Sequence, residues 1–297
     1  MSSRPVGGRL VREAVVPTLS NRGMQVVLLG TGTPNADPER SGPAIGIVAD
    51  GRAYLIDFGP GVVRRAAAAC AAGMDALAPP RLECAFLTHL HSDHTAGYPD
   101  LILSPWVLGR EHPLRVFGPP GLSRMTERVL DAYREDVRER IDGLEPANRT
   151  GHDVEPTEVE PGVVYDDGRM CVEAFAVNHG SWPAFGYRFT TTDRVVVISG
   201  DTAPFDGWEE TYAGCDLLVH EVQSVKGLAC RNPAWRAYHT AVHTTTADLA
   251  AVASIVKPRR LVLVHVLFHG VSEEDLLREM GDRYDGDVAL GRDLDIY

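Results

Sequence analysis

Three imidazoles and one carboxylate stand within six residues in the segment Thr88-His89-Leu90-His91-Ser92-Asp93-His94. Imidazole nitrogen and carboxylate oxygen are the donors that zinc and related divalent ions take. The group follows directly on the apolar run Cys84–Leu87, which reads as a strand. Alternation along a strand exit sends His89 and His91 to the same side. The turn that follows can bring Asp93 and His94 onto a second centre. So dense a run of ligand-type side chains has little structural use in a loop, and it points to metal chemistry.

Further donors stand at comparable places. His179 follows the strand ending at Val177, Asp201 lies in Ser199-Gly200-Asp201-Thr202 after Val195–Ser199, and His265 closes the apolar stretch Leu261–Val264. Any one of them alone is more readily a polar strand-end residue than a ligand. Together they fall on one rim and complete the donors for two divalent ions. Zinc is the default for such a set, with manganese or iron able to occupy it. A water bound to such an ion has its pKa lowered towards about 7, and two ions can hold the resulting hydroxide and offset charge developing on the scissile group.

The elements that must position these residues are legible in outline. Met24–Gly30 is a β-rich run ended by Gly-Thr-Gly-Thr-Pro, and Ala44–Val48 and Ala53–Asp57 flank Asp50-Gly51, a hairpin signal. Gly59 to Gly73 suits a helix, Ala85–Thr88 and Arg115–Gly118 suit short strands, and Ser123–Ile141 suits one long charged helix. Strands follow at Met170–Val177, Phe185–Thr190, Arg194–Ser199, Asp216–His220 and Leu261–His265, with a helix at Thr245–Val256 ended by Lys257-Pro258. Hairpins among the alternating strands and helices fit a purely parallel sheet poorly. Two mixed sheets packed together with helices outside fit better, in an α/β (α+β) chain. No linker or repeat divides residues 24–297, so one domain is expected there, preceded by a short extension over residues 1–23.

Composition narrows the class. With 44% hydrophobic and 24% charged residues the chain is of ordinary globular type. Five cysteines without C-x-x-C spacing argue against a disulfide framework and a thiolate zinc knuckle, and suit a reducing compartment. No run resembles a signal peptide or a membrane span, so the cytoplasm is expected. The net charge of −12, with basic residues only in pairs such as Arg64-Arg65 and Arg259-Arg260, speaks against a nucleic-acid partner.

The T-H-x-H-x-D-H segment, the later His179, Asp201 in S-G-D-T and the final His265 resemble the metallo-β-lactamase superfamily. Their flanks are most similar to its ribonuclease Z-like and arylsulfatase-like branch. Supporting marks are Leu29-Gly30-Thr31-Gly32-Thr33-Pro34, Asp57-Phe58-Gly59-Pro60-Gly61, Phe185-Gly186-Tyr187-Arg188 and His220-Glu221. The resemblance runs from about Met24 to the C-terminus and implies a four-layered αβ/βα sandwich. It implies that His89, His91 and His179 hold one ion, that Asp93, His94 and His265 hold the other, and that Asp201 bridges them. Asp93 then counts with the catalytic residues as well.

Three residues support this site. Asp57 is either the carboxylate that accepts the free N–H of a ligand histidine or a strand-end cap. In the ribonuclease Z-like branch a Glu in a His-Glu motif and a His before a helix act as a proton-donating pair, and Glu221 and His243 match those places. A protonated His held by a carboxylate is a sound general acid. The other reading of the pair is a buried ion pair tying helix to strand. His220 and His239 stay open between supporting and pocket-lining roles, and His112, His152 and His269 read as surface residues.

The same resemblance shapes the substrate expectation. Bacterial ribonuclease Z carries a Gly/Pro-rich, tRNA-gripping arm several tens of residues long after its F-G-Y-R strand. Here Phe185–Phe189 runs through Thr190–Arg194 directly into Val195–Ser199, so that arm is missing. A small-molecule phosphodiester or aryl sulfate ester is therefore the first expectation, with Trp106, Trp182, Phe185, Phe205 and Trp208 as candidate holders of its organic group. A tRNA 3′-processing endonuclease and a lactonase or other carboxyl-ester hydrolase are the alternatives. A homodimer is expected by analogy with the branch.

Overall fold

The structure of the chain, a computed structural model, describes residues 23–297. Apart from Gly23, the expected N-terminal extension lies outside the described residues. Two sheets carry the fold. The first holds β1 (Gln25–Gly30), β2 (Ala44–Ala49), β3 (Arg52–Ile56), β4 (Cys84–Phe86), β5 (Leu114–Gly118) and β6 (Val154–Glu158), side by side in chain order. The second holds β7 (Gly162–Asp166), β8 (Cys171–Ala176), β9 (Phe185–Thr190), β10 (Val195–Ile198), β11 (Leu217–Gln223), β12 (Arg260–Leu267) and β13 (Val288–Leu290), again in order. Each sheet begins antiparallel and turns parallel, from β3 onward in the first and from β10 onward in the second. The mixed-sheet expectation holds.

Alternation along the strands explains the layers. In β1, Val26 and Leu28 face a core shared by both sheets, while Val27 and Leu29 face the opposite way. In β11, Leu217 and Val219 join the shared core and Leu218 and Val222 the outer one. A strand buried on both faces reads as a continuous apolar run, and these do. The outer face of the first sheet is covered by α1 (Val62–Ala71), α3 (Tyr98–Val107) and α4 (Leu122–Ala132), with the short α2 (Ser92–Thr95) before α3 and α5 (Arg134–Asp142) after α4. The second is covered by α6 (Trp208–Tyr212), α9 (Thr246–Val256) and α10 (Glu273–Gly281), while α7 (Val225–Ala229) and α8 (Pro233–Val242) lie between β11 and α9. The result is the expected helix–sheet–sheet–helix sandwich. Among the described residues no helix is long and apolar enough to cross a membrane.

Local chemistry accounts for several boundaries. Asp50 and Gly51 both take positive φ, 47° and 73°, the turn geometry that lets β2 and β3 pair tightly. Thr245 caps α9 by accepting the Asp248 N–H, and Lys257 ends it in the left-handed region before Pro258. The single helix expected over Ser123–Ile141 is instead α4 and α5, parted at Tyr133. Only α4 buries residues against the sheet, so α5 has no packing reason to continue its line.

The first strand also meets the last residues. The Val26 N–H donates to the Tyr297 carbonyl and the Tyr297 N–H to the Val26 carbonyl, both at 2.9 Å, and the Leu28 N–H donates to Asp295 at 3.0 Å. The last residues thus strap the outer edge of β1.

Candidate metal centre

The loop after β4 is pinned by one residue. Asp57 follows β3 in the left-handed region, with φ 58°. Its Oδ1 accepts the Thr88 backbone N–H at 2.8 Å, and its Oδ2 accepts from His94 Nδ1 at 2.7 Å. The Thr88 hydroxyl donates to the same carboxylate. A carboxylate can only accept, so His94 carries a proton on Nδ1 and turns Nε2 into the site. The two readings of Asp57 merge: it closes the strand end and it orients a histidine.

All seven sequence-derived donors meet at this point. His89 Nε2 lies 3.0 Å from His91 Nδ1, and His179 Nε2 lies 3.2 Å from that same atom. His265 Nε2 and His94 Nε2 stand 3.2 and 3.5 Å from Asp93 Oδ2. Between the two groups Asp201 Oδ2 is 3.9 Å from His89 Nε2, 3.5 Å from His94 Nε2 and 3.4 Å from His265 Nε2. In each trio, His89–His91–His179 and Asp93–His94–His265, the donor atoms lie within 4.8 Å of one another.

The electrostatics suit cations. Burial holds His89, His91 and His179 below the usual imidazole range, so each offers a neutral lone pair. The His179 Nδ1–H donates to the Val242 carbonyl at 2.9 Å, which frees Nε2. For Asp201 burial opposes ionisation, but His265 and His94 outweigh it and hold the group well below the carboxylate range. For His94 burial opposes charge, yet Asp201 and Asp57 hold it well above the imidazole range. The cluster therefore demands positive charge, and His94 Nε2 is buried without a hydrogen-bond partner among the described residues. A divalent cation answers both demands, so the donor set fits the expected group.

His265 reaches the site by an irregularity. Glu221 pairs with Val264 and Val222 with Val266, so His265 is the extra residue of a β-bulge, in the left-handed region with φ 44°. The expected strand stops at His265, but β12 continues to Leu267 because both of its bulge flanks stay paired with β11.

Glu221 and His243 form the pair expected from the sequence. His243 Nδ1 lies 3.2 Å from Glu221 Oε1, which also accepts the Thr244 N–H at 3.0 Å and the Thr202 N–H at 3.2 Å. Burial works against an imidazolium here, but the charge and hydrogen bond of Glu221 raise His243 above its ordinary value. His243 lines the cleft over the metal site, with Asp93, Asp201 and His265 at its floor.

Comparison with known proteins bears on this site. The model of the Beta-lactamase superfamily domain matches residues 52–266. A ribonuclease Z of Mycobacterium bovis strain BCG is 32% identical over 280 residues, covering 91% of this chain and 96% of that one. The chain belongs to the metallo-β-lactamase superfamily, as a ribonuclease Z-like, metal-dependent hydrolase. Among solved structures, the metallo-beta-lactamase fold protein YhfI of Bacillus subtilis superposes with a TM-score of 0.69 at 17% identity, covering 92% of this chain and 98% of that one. Human tRNase Z, short form, superposes with 0.65 at 22% identity, covering 92% and 98%. At these identities the two superpositions show the shared fold.

Membership in this branch corrects the partner expectation. Nucleic acid was set aside on the net charge and the missing arm, and a small substrate was preferred; relatives named ribonuclease Z overturn that. Of this chain's 297 residues 91% is about 270, so only about ten of the 280 aligned positions are gaps on its side. An arm of several tens of residues cannot be hidden in them. The relative has no such insertion within the alignment, and the absence of one here separates the two in nothing. Net charge misleads for a simpler reason. Between Glu221 and Asp248 the chain has no acidic residue but carries Lys226, Arg231 and Arg236, and of these Arg231 lines the cleft.

The metallo-β-lactamase cleft has a volume of about 830 Å³ and is bounded by the Thr31–Asn35 loop on one side and α8 on the other. Most aromatic residues expected to hold a substrate are packed elsewhere: Trp106, Phe185 and Trp208 are buried, and Phe205 packs into the outer core. Trp182 alone remains at the rim, its ring 4.6 Å from that of His91. Sequence reasoning missed Trp235 and Tyr238, which line the cleft from α8. The cue was available in Asn232-Pro233, a cap followed by proline at a helix start. His239 lines the cleft, and His269, expected at the surface, lies there too, its ring 4.7 Å from that of His239. His220 is fully buried between Tyr212 and the Glu221 backbone, in a supporting place.

Proposed function

We propose that residues 24–297 form one hydrolase domain that cleaves RNA phosphodiesters as a tRNA 3′-processing endonuclease. The observation that carries this reading is the Glu221–His243 pair standing over the seven-donor cluster, in a chain 32% identical to a ribonuclease Z over nearly its whole length. His89, His91 and His179 would hold one divalent ion, Asp93, His94 and His265 the other, and Asp201 both, with zinc the favoured metal for such donors. Bound there, the ions would supply Lewis acidity and an activated water at neutral pH.

The chain's own residues do the rest. Asp57 holds the His94 tautomer, and the Asp93 carboxylate would accept the proton that the attacking water gives up. As the phosphorus gains the water oxygen, the P–O bond to the leaving alkoxide breaks. That oxygen takes the proton of His243, and Glu221 stabilises the imidazolium until it is spent.

The test is a parallel assay of metal-loaded protein on precursor tRNA, a bis-aryl phosphodiester, an aryl sulfate and a lactone, with Asp201→Ala as control. Cleavage of precursor tRNA that is lost in Asp201→Ala is the expected result. Turnover of the small esters with none of the tRNA would overturn the RNA reading, and full activity in Asp201→Ala would overturn the metal centre.

A further inference from the structure

Helix α8 has only one buried residue, Val242, although it borders the cleft. Along its cleft side the rings form a column. Trp235 stacks on His239 at 5.6 Å and 26°, His239 follows His243 at 5.6 Å and 31°, and His243 stacks on His265 at 5.7 Å and 26°. The i, i+4 spacing of 235, 239 and 243 places all three on one helix face. The column therefore starts at the floor of the site and ends at an indole that is 49% exposed. Tyr238, 45% exposed, meets that indole edge-on at 5.8 Å, and the Arg231 guanidinium sits 5.7 Å from its centre.

Core packing does not explain these rings, because they face the cleft and solvent. A large exposed indole flanked by a phenol and a guanidinium, on a helix without acidic residues, suits a flat, electron-rich ring carried on an anionic chain. We infer that Trp235 and Tyr238, with Arg231, form a stacking subsite for a nucleobase of single-stranded RNA adjoining the cleaved phosphodiester. The inference rests on the phosphodiesterase reading above and names residues that would select its substrate. Every base has a π-face, so the subsite senses the presence of a base more than its identity.

The test uses the full chain and a short 5′-labelled oligoribonucleotide, prepared either intact or with one abasic residue moved along it. Affinity is read by fluorescence anisotropy. Wild type should lose about tenfold in affinity when the abasic residue occupies one particular position, the scale of a single stacked base. Trp235→Ala should weaken the intact oligonucleotide about tenfold and erase that positional difference, and Trp235→Phe should restore most of both. Equal affinity of wild type and Trp235→Ala, or a loss equal for intact and abasic RNA, would overturn the subsite. So would a dimer, seen by light scattering, that Trp235→Ala dissociates without change in RNA affinity, since the face would then be an interface between copies. Cleavage of a bis-aryl phosphodiester, measured separately, reports on the phosphodiesterase reading. Stacking without cleavage would remove the activity and leave the subsite, and cleavage without stacking would do the reverse.

Discussion

Asp57→Asn isolates how a group outside the donor set controls it. The substitution preserves size and changes one acceptor atom into a donor. Thr88 N–H, 2.8 Å away, and His94 Nδ1, 2.7 Å away, both donate to the native carboxylate. An amide can accept from only one of them with its oxygen, and its NH2 then opposes the other. If Thr88 keeps the oxygen, His94 must accept at Nδ1 and carry its proton at Nε2, the atom 3.5 Å from both Asp93 and Asp201. A proton then stands where the cation belongs. Removing an orienting partner of this kind costs tenfold to a hundredfold in metal affinity, about 1.4 to 2.7 kcal/mol. His91 and His179 do not touch Asp57, and His89 reaches it only through the Thr88 hydroxyl, 3.0 Å from its Nδ1, so the larger loss should fall on one ion of the two. Competition with a chromophoric zinc chelator would show one site weakened within that range and one near wild type. Unchanged affinity at both sites would refute the argument, and so would an equal loss at both.

Other consequences are as definite. His243→Ala should slow hydrolysis of diesters with poor alkoxide leaving groups by about 10²- to 10⁴-fold and of aryl diesters far less; equal slowing would leave the Glu221 pair a structural tie. In the metal-free protein His265→Gly should be more stable to urea than His265→Ala by about 1 kcal/mol, reversing the usual order, because the bulge holds φ at 44°. Burial opposes the charge of Asp167, but the Met170 and Arg169 N–H groups and the Tyr54 and Tyr165 hydroxyls lower it to about 2. A depressed carboxyl stabilises the fold above its unfolded value near 4 and loses that contribution as pH falls through its folded value. The side chain is 15% exposed, and the shift corresponds to about 2 kcal/mol. Acid titration of the melting temperature should therefore flatten between about pH 4 and pH 2 in Asp167→Asn, and parallel curves would remove Asp167 as the cause.

The donors were legible because each follows an apolar run, and alternation makes strand exits predictable. His89, His91 and His179 needed nothing more than that. His265 was found by position but not by reason, since a bulge breaks the alternation that would otherwise aim it. The substrate wall was not legible. Helix α8 carries Trp235, Tyr238 and Val242 at i, i+3 and i+7, a spacing that reads as a core-facing stripe, yet only Val242 is buried and the two rings face the cleft. Trp106, Phe185 and Trp208 drew attention as large rings near motif residues, but burial decides such roles, and they are core. The partner expectation failed for a comparable cause. Net charge sums over the whole chain, whereas a ligand in the cleft meets only the residues that line it, Arg40 and Arg231 among them.

The strap formed by the last residues has a bearing on association. β1 pairs with β2 on one side only, and its other edge would present the N–H groups of Val26 and Leu28 to any passing strand. Such an edge, apolar on both faces, is a template for chain-to-chain addition. Asp295 and Tyr297 occupy those groups, and Arg194 fastens the strap by donating to the Tyr297 carbonyl. The tail is thus a built-in competitor for its own sheet edge. A chain cut before Asp293 should keep its metal donors and become prone to aggregate through β1.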